Sequence, residues 1–228
     1  MNILAIDSHS SSGSIAISSG GQIRYLAYLD IKGTHSTRLM KMIDQALQIC
    51  ELEVKNLDQI VLSIGPGSFT GIRIGLATAK GLAFAHDIPI VPVCSLTMRA
   101  MALANCGKDI ISFCDAKTEE IYAGVYDQKL KTIMPPRCYN IEKFFGELSG
   151  EYFISGDNYQ IVQKYAKHLT LSEATLAQSI PLASYLLQKS DPEVKFDFDT
   201  LSNLEPMYLR KSQAEIVWEK KNKKQNKI

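Results

Sequence analysis

The sequence predicts an α/β protein built from two similar lobes, each a mixed β-sheet with helices. The first observation is a run of apolar residues that ends in an aspartate, at residues 2–7 and again at 110–115. The second is that a polar loop and further short strands follow each run, which predicts the same meander twice. The third is the order helix, strand, helix that follows the first meander.

The composition is that of an ordinary globular protein and excludes several classes. The chain has 228 residues, 46% of them apolar and 21% charged, and a net charge of +1, which excludes a disordered chain. Apolar runs such as 88–94 fall far short of the ~20 residues that a membrane helix needs. No basic segment opens the chain, so we expect no signal peptide. The five cysteines form no Cys-x-x-Cys pair, and we expect reduced thiols in the cytoplasm.

In the first half of the chain, strands and helices are expected to alternate. Strands are predicted at 2–7, 13–18 and 22–30, the last two joined by a Gly-Gly hairpin turn. A helix is predicted over 36–50, where apolar residues recur at helical spacing: Leu39, Ile43, Ala46, Leu47 and Cys50. The remaining elements of this half are a strand at 58–64, a helix at 70–86, a strand at 89–93 and a helix at 95–105.

In the second half the opening pattern returns and then becomes less regular. Strands are predicted at 110–115 and 121–126, with a polar loop over 116–120, and a third strand ends near Met134. The later elements are helices at 141–148 and 159–168, a strand at 152–155, a helix at 174–188 interrupted by Pro181, and a loop over 191–203.

A meander with helices and strands, used twice, is the outline of the actin-like and sugar-kinase-like ATPase fold, which is related to the ribonuclease H fold. We expect an N-terminal lobe at 1–106, a smaller C-terminal lobe at 107–212 and a basic tail at 213–228. From Arg210 onward there are seven basic and two acidic residues. Such a tail is either a solvated terminus or an arm that contacts RNA phosphates.

The most informative segment is Gly-Pro-Gly-Ser-Phe-Thr-Gly-Ile-Arg-Ile-Gly at 65–75. It lacks the ending of a Walker A loop and the glycine spacing of a dinucleotide fingerprint. One interpretation is an anion loop formed by Gly67, Ser68, Thr70 and Arg73, because a glycine-rich turn before a helix exposes N–H groups. The other interpretation is that Ser68 or Thr70 simply caps the helix.

The helix that follows carries two stripes of small residues. One stripe consists of Gly71, Gly75, Ala79 and Ala83, and the other of Ala77, Gly81 and Ala85. Glycine in a helix costs about 1 kcal/mol relative to alanine, so these positions need a compensating contact. A small stripe allows close approach of this chain's own sheet or of a helix from another subunit, and two stripes allow both.

The 65–75 segment resembles the signature of the bacterial TsaB (YeaZ-type) family of tRNA threonylcarbamoyladenosine biosynthesis. Further matches follow in chain order at 1–7, 35–44, 115–122, 181–183 and 205–210, so the resemblance covers residues 1–215. It implies two actin-like lobes of the ASKHA superfamily in a subunit that is not itself the catalyst. Such proteins bind TsaD, a related subunit that transfers a threonylcarbamoyl group to adenosine 37 of ANN-decoding tRNAs. A small ATPase, TsaE, binds the same assembly.

The resemblance also implies where the partner binds, because the TsaB–TsaD contact in the family is a bundle of the first two helices of each subunit. The expected partner-binding residues are Leu39, Ile43, Leu47, Gly71, Ile72, Gly75, Leu76, Ala79 and Ala83. An exposed apolar helix pair would also allow a homodimer when the chain is alone. The tRNA would be contacted indirectly or through the basic tail.

No catalytic residue, cofactor or metal is expected. The catalytic relative has two metal-binding histidines at i and i+4 after its fifth strand, where this chain has Ser95 and Arg99. Neither residue replaces an imidazole, and arginine has no lone pair to offer. The histidines are scattered, which also disfavours a metallopeptidase.

Two acids occupy the places that an actin-like ATPase uses for its metal and phosphates. We interpret Asp7 and Asp115 as vestigial nucleotide positions, because the loops at 8–12 and 116–120 suit phosphates poorly. His9 is expected to be a solvated loop histidine. The alternative function is a small-molecule kinase or ATPase of this fold.

Overall fold

The structure, a computed structural model, describes residues 1–30 and 35–210. Within them the first sheet consists of Asn2–Asp7 (β1), Gly13–Ser19 (β2), Gln22–Leu29 (β3), Gln59–Ser63 (β4) and Ile90–Val93 (β5). The second sheet consists of Asp109–Lys117 (β6), Glu120–Tyr126 (β7), Thr132–Asn140 (β8), Glu151–Gly156 (β9) and Thr170–Glu173 (β10). The predicted tail at 213–228 lies outside the described residues.

The two sheets have the same topology. The strand order is β3-β2-β1-β4-β5 in one and β8-β7-β6-β9-β10 in the other. In both, the three meander strands pair antiparallel, and the first strand pairs parallel with the fourth, which pairs parallel with the fifth. This one-to-one correspondence confirms the predicted duplication and the two-lobed α/β fold.

The helices differ much more between the lobes than the strands do. The first lobe has His35–Ile49 (α1) and Phe69–His86 (α2), and Ser95–Met101 (α3) follows β5. The later helices are Ile141–Gly146 (α4), Tyr159–Gln163 (α5), Leu176–Ser179 (α6) and Phe198–Asn203 (α7). Short 3-10 helices span Val54–Asn56 and Ala183–Lys189. In the described part of the chain, no helix is long and apolar enough to cross a membrane.

Helix α3 packs between the two sheets. Its Met98 joins the core that covers one face of the first sheet, together with Ala183 and Leu186. Its Ala100 instead joins a small core on the second sheet that contains Tyr126. A polar residue on this helix can therefore contact both lobes at once.

The chain returns to the first lobe after α6, which corrects the predicted boundary. The Ala183 amide donates to the Ser14 hydroxyl over 3.0 Å, and the Gln59 side chain donates to the carbonyl of Asp191 over 2.8 Å. Leu201 on α7 belongs to the first core, with α1 and α2. The predicted lobe at 107–212 is therefore wrong from about residue 183 onward, because residues 183–204 pack on the first lobe.

Several predicted elements also need correction. The predicted loop at 191–203 contains α7, which begins where the Asp197 carboxylate accepts a bond from the Thr200 amide at 2.8 Å. The third strand of the second meander continues beyond Met134 through two prolines, which an edge strand tolerates. The helix predicted at 159–168 ends at Gln163, and the strand β10 after it was not predicted. The interruption at Pro181 is confirmed, since α6 ends before it.

Candidate functional site

The first strand ends at Asp7, a carboxylate with no solvent exposure. Its Oδ1 accepts hydrogen bonds from His9 Nδ1 at 2.8 Å and from the Ser63 hydroxyl. Among the residues that the structure describes, its Oδ2 has no hydrogen-bond partner. Burial raises the pKa of Asp7, but the interaction with His9 and the bonds from His9 and Ser63 outweigh it, so the pKa lies below its ordinary value.

His9 is buried, so the expectation of a solvated loop histidine is wrong. The residue is 1% exposed, and its ring lies between Asp7 on one side and Arg99 on the other. The Arg99 Nε donates to His9 Nε2 over 3.0 Å. The polar loop after β1 therefore turns inward, and its histidine is part of a buried network.

Arg99 lies on α3 and joins the two lobes. Only 3% of its side chain is exposed, and its Nη2 donates to Asp157 Oδ1 over 2.6 Å. Asp157 follows β9 and is the second-lobe end of the network, with 46% of its side chain exposed. Burial lowers the pKa of Arg99, but nearby Cys114, Asp157 and Asp7 raise it above its ordinary value. Its charge is therefore fixed.

A cavity of about 240 Å³ opens beside this network, between the lobes. The first lobe contributes His9, Ser10, Ser11, Gly67 and Ser68, and the second contributes Cys114, Asp115 and Asp157. Burial raises the pKa of the Cys114 thiol to about 12, which makes it a neutral, unreactive group. Two carboxylates on one wall disfavour a polyphosphate here.

The four residues of the predicted anion loop do not converge on one point. The Ser68 hydroxyl accepts from the Gly71 amide at 3.2 Å, so Ser68 caps α2. A Cβ on Gly67 would lie 2.1 Å from the His9 carbonyl oxygen, so its backbone is sealed against that loop. Thr70 is exposed, and the guanidinium of Arg73 lies 3.7 Å from the Phe69 ring centre. The capping interpretation is the one that the structure supports.

Asp115 occupies the place in the second lobe that Asp7 occupies in the first. Its Oδ2 accepts from Lys117 Nζ at 2.7 Å, on a side chain that is 16% exposed. Burial raises the pKa of Asp115, but bonds from Lys117 lower it by more, so the net direction is downward. Lys117, Thr118 and Glu119 all have positive φ, so the predicted polar loop at 116–120 is instead a tight left-handed turn.

The inner stripe of α2 packs inside this chain. A Cβ added to Gly71 would lie 2.1 Å from the Ser8 carbonyl oxygen, and one added to Gly75 would lie 2.2 Å from Ser8 Oγ. All the residues predicted to bind the partner are buried here: Leu39, Ile43, Leu47, Gly71, Ile72, Gly75, Leu76, Ala79 and Ala83. That residue assignment needs correction, because these positions form the chain's own core.

The outer stripe of the same helix faces away from the sheet. Ala77, Gly81 and Ala85 are exposed, and no described residue has an atom within 4 Å of a Cβ built on Gly81. We call this stripe the outer lane. The two stripes thus face two directions, as their spacing predicts.

Aromatic pairs lie at both ends of the outer lane. Phe84, which is 63% exposed, lies 6.0 Å from Phe198 between ring centres, and Phe69 stacks on Tyr208 at 5.1 Å. A groove of about 360 Å³ separates α2 from the 205–208 segment. The residues that follow β10 therefore complete this surface, which the sequence analysis did not anticipate.

Sequence reasoning missed the partners of the buried network. Asp157 stood in a Gly-Asp-Asn turn after a predicted strand, which was a usable signal for a residue at the sheet edge. Arg99 was singled out only for what it cannot bind. Within the described ranges 1–30 and 35–210, no group of three or more His, Cys, Asp or Glu side chains could hold a metal ion.

The comparisons with known sequences and with known structures agree with one another. A family model described as TsaD, tRNA N6-adenosine threonylcarbamoyltransferase, matches residues 30–218. The tRNA threonylcarbamoyladenosine biosynthesis protein TsaB of Bacillus subtilis is 31% identical, over 96% of this chain and 98% of its own. The TsaB protein of Haemophilus influenzae is 29% identical, over 96% of this chain and 97% of its own. YeaZ from Pseudomonas aeruginosa has the same fold, with a TM-score of 0.70 and 23% identity over 91% of this chain and 99% of that chain.

Proposed function

The chain belongs to the TsaB (YeaZ) family of tRNA threonylcarbamoyladenosine biosynthesis proteins, and from that premise we propose that it is a non-catalytic subunit that binds a TsaD-type subunit. In this proposal the partner is the enzyme that transfers the threonylcarbamoyl group to tRNA. The chain contributes a folded docking surface.

The outer lane of α2 is the observation that carries the proposal. Three small residues on successive turns leave a shallow lane, and its central position, Gly81, has open space beyond it. Helices approach each other closely only where such residues lie at the crossing point. The glycine costs about 1 kcal/mol in helix stability. Among the described residues 1–30 and 35–210 nothing lies close enough to compensate, so an intermolecular contact would explain it.

Exposed aromatic rings mark the ends of the same surface. Phe84 and Phe69 lie one at each end of α2, and each is paired with a ring from the later part of the chain. Aromatic residues are enriched at protein–protein interfaces relative to the rest of the surface. We therefore move the partner contact from the buried residues to the outer lane and these rings.

Two features support the absence of catalysis by this chain. Ser95 is buried and binds the backbone of Gly65 twice, through its amide at 2.8 Å and its hydroxyl at 3.0 Å. Arg99 is held between His9 and Asp157. The resemblance places both residues where the catalytic relative has metal-binding histidines, and here both make contacts within the protein.

The further partners follow from the same role. A TsaE-type ATPase would bind the assembled complex, and tRNA would be reached through the partner or the basic tail. Alone, the chain would form a homodimer through the outer lane. A cytoplasmic location accompanies this role.

Light scattering after size exclusion tests the proposal, on this chain mixed with the TsaD-type protein of its own organism. We expect a 1:1 complex. Gly81→Trp should weaken its affinity at least 100-fold, because the large ring fills the lane. Gly146→Trp is the matched control. Like Gly81, Gly146 is an exposed helix glycine with open space around it, but it lies at the end of α4 on the second lobe.

A transfer assay tests the non-catalytic part. This chain alone should leave tRNA unmodified when given the threonylcarbamoyl donor, and its addition should raise the rate of the TsaD-type subunit. If Gly81→Trp and Gly146→Trp bound the TsaD-type subunit equally well, the contact with that subunit would lie outside the outer lane. Modification of tRNA by this chain alone would disprove the non-catalytic role.

A further inference from the structure

The buried network between the lobes requires one protonation state of His9. Arginine only donates hydrogen bonds, so the bond from Arg99 Nε at 3.0 Å makes His9 Nε2 an acceptor. The proton of the neutral ring then lies on Nδ1 and is donated to Asp7 at 2.8 Å. The network is complete only when His9 is neutral.

A second proton on His9 would break the network at one defined place. The proton must go to Nε2, where the Arg99 N–H already points. That bond is lost and two cations face each other, because arginine keeps its proton. His9 would remain paired with Asp7 in the first lobe, and Arg99 would remain paired with Asp157 in the second.

We propose that His9 and Arg99 form a proton-sensitive latch between the two lobes. The latch is closed when His9 is neutral, and it opens when the ring takes a second proton. Several charged or titratable groups face His9: Asp7 on its own loop, Arg99 on α3, and Asp115, Asp157 and the Cys114 thiol across the cavity. The segment before α2 faces it only with uncharged Gly67 and Ser68.

The loop that carries the latch also holds the start of α2. The Ser68 amide donates to the His9 carbonyl over 2.6 Å, and the Ser8 hydroxyl donates to the Gly71 carbonyl over 2.8 Å. Movement of His9 would therefore loosen the first turn of α2. If the outer lane binds the partner as proposed above, the latch would regulate that site; this last step alone rests on the proposed function.

Two measurements on the full chain alone test the latch. Nitrogen-15 NMR of the imidazole rings at pH 7.5 and pH 5.5, with His9→Asn to assign the signal, reports which ring nitrogens of His9 carry protons. The proposal requires a proton on Nδ1 alone in the closed state and on both nitrogens in the open state. Hydrogen exchange should show the protection factor of the Ser68 amide falling at least tenfold over the same change. Protection factors already correct for the pH dependence of intrinsic exchange.

Variants separate the latch from general acid sensitivity. In His9→Asn the Ser68 amide should be weakly protected at both pH values. Glu142→Gln, which alters an exposed carboxylate on α4 that does not line the cavity, should behave as the unmodified chain does. The proposal would be overturned by a proton on His9 Nε2 at neutral pH. It would also be overturned if the protection factor of the Ser68 amide fell less than twofold, or if the fall persisted in His9→Asn. None of these readouts requires a partner, so they remain valid if the docking proposal fails.

Discussion

The aspartates near the ends of β1 and β6 occupy equivalent positions in the two sheets, but they differ in burial and in hydrogen-bond partners. Asp7 is fully buried and shares its carboxylate with His9 and Ser63. Asp115 is partly exposed and pairs with Lys117, whose side chain is 78% exposed. In both lobes a cationic or ionisable residue two positions later binds the carboxylate. The duplication thus preserved the backbone and the local pairing, while burial changed.

The connections around the two aspartates explain the difference. Five residues join β1 to β2, which gives His9 room to fold back over Asp7, whereas β6 and β7 are joined by two residues in a left-handed turn. The first lobe also has the 18-residue α2, whose glycines seal the loop. Its counterpart α5 has 5 residues. Loop length and helix length therefore decide whether an equivalent carboxylate is buried.

The largest expected effect on stability comes from replacing the buried aspartate, Asp7. Asp7→Ala should lower the free energy of unfolding by about 3 kcal/mol, because it leaves the buried donors of His9 and Ser63 without an acceptor. Asp115→Ala should cost a small fraction of that, since its partner is solvated. Urea unfolding of both variants measures the contrast. Equal losses would show that burial in the folded state does not distinguish the two sites.

The next effect tests whether α2 seals the loop. Gly71→Ala should cost about 2 kcal/mol, because its Cβ would overlap the backbone oxygen of Ser8. Gly81→Ala on the same helix should gain about 0.5–1 kcal/mol, because that position is open and alanine favours the helix. Thermal and urea unfolding give both values. A Gly71→Ala variant as stable as the unmodified chain would mean that the loop at 8–12 shifts to accommodate the added methyl group.

Much of this fold could be predicted from the sequence, and the reasons are local. The apolar strands β1 and β6, the Gly-Gly hairpin and the helical spacing of Leu39 and Ile43 each carry their own signal. The strand β10 does not, because Thr-Leu-Ser-Glu has no clear alternation. The helix α7 depends on a cap at Asp197 and on packing against α2, which only the fold provides.

The site was harder to predict because its contacts join distant parts of the chain. Loop polarity favours solvent for His9, but Arg99, 90 residues later, supplies the partner that makes its burial favourable. The small stripes of α2 were visible in the sequence, but their spacing could not tell which one faces the sheet. The inner stripe, which includes the glycine pair beside Ser8, is the buried one, so the α2 residues predicted to bind a partner lie in the chain's own core.

Acid should affect the two aspartates in the same direction and to different extents. Both have a folded-state pKa below the ordinary value of 3.8, so each stabilises the fold above that pH. The contribution is lost as the pH falls through the lowered folded-state value. The stability difference between the unmodified chain and Asp7→Ala should therefore shrink between pH 5 and pH 3.

Unfolding experiments at several pH values check this sign. For Asp115→Ala the difference should be small throughout and should diminish further in high salt, which screens exposed charges. A difference for Asp7→Ala that grows in acid would mean that its carboxylate is less readily ionised in the fold than in the unfolded chain.

The smallest effect concerns the tight turn that replaces the loop in the second lobe. Glu119 is exposed and has a φ of 59°, a conformation that costs a side-chain-bearing residue about 1 kcal/mol. Glycine adopts it freely but loses more entropy on folding, so Glu119→Gly should gain only about 0.5 kcal/mol. Gly21→Ala is the reverse control in the first lobe: Gly21 has a φ of 79° and open space around it, and alanine there should cost about 1 kcal/mol. If Glu119→Gly destabilises the protein instead, the left-handed turn is held by its side chains. The two lobes would then differ in what fixes their first connection as well as in its length.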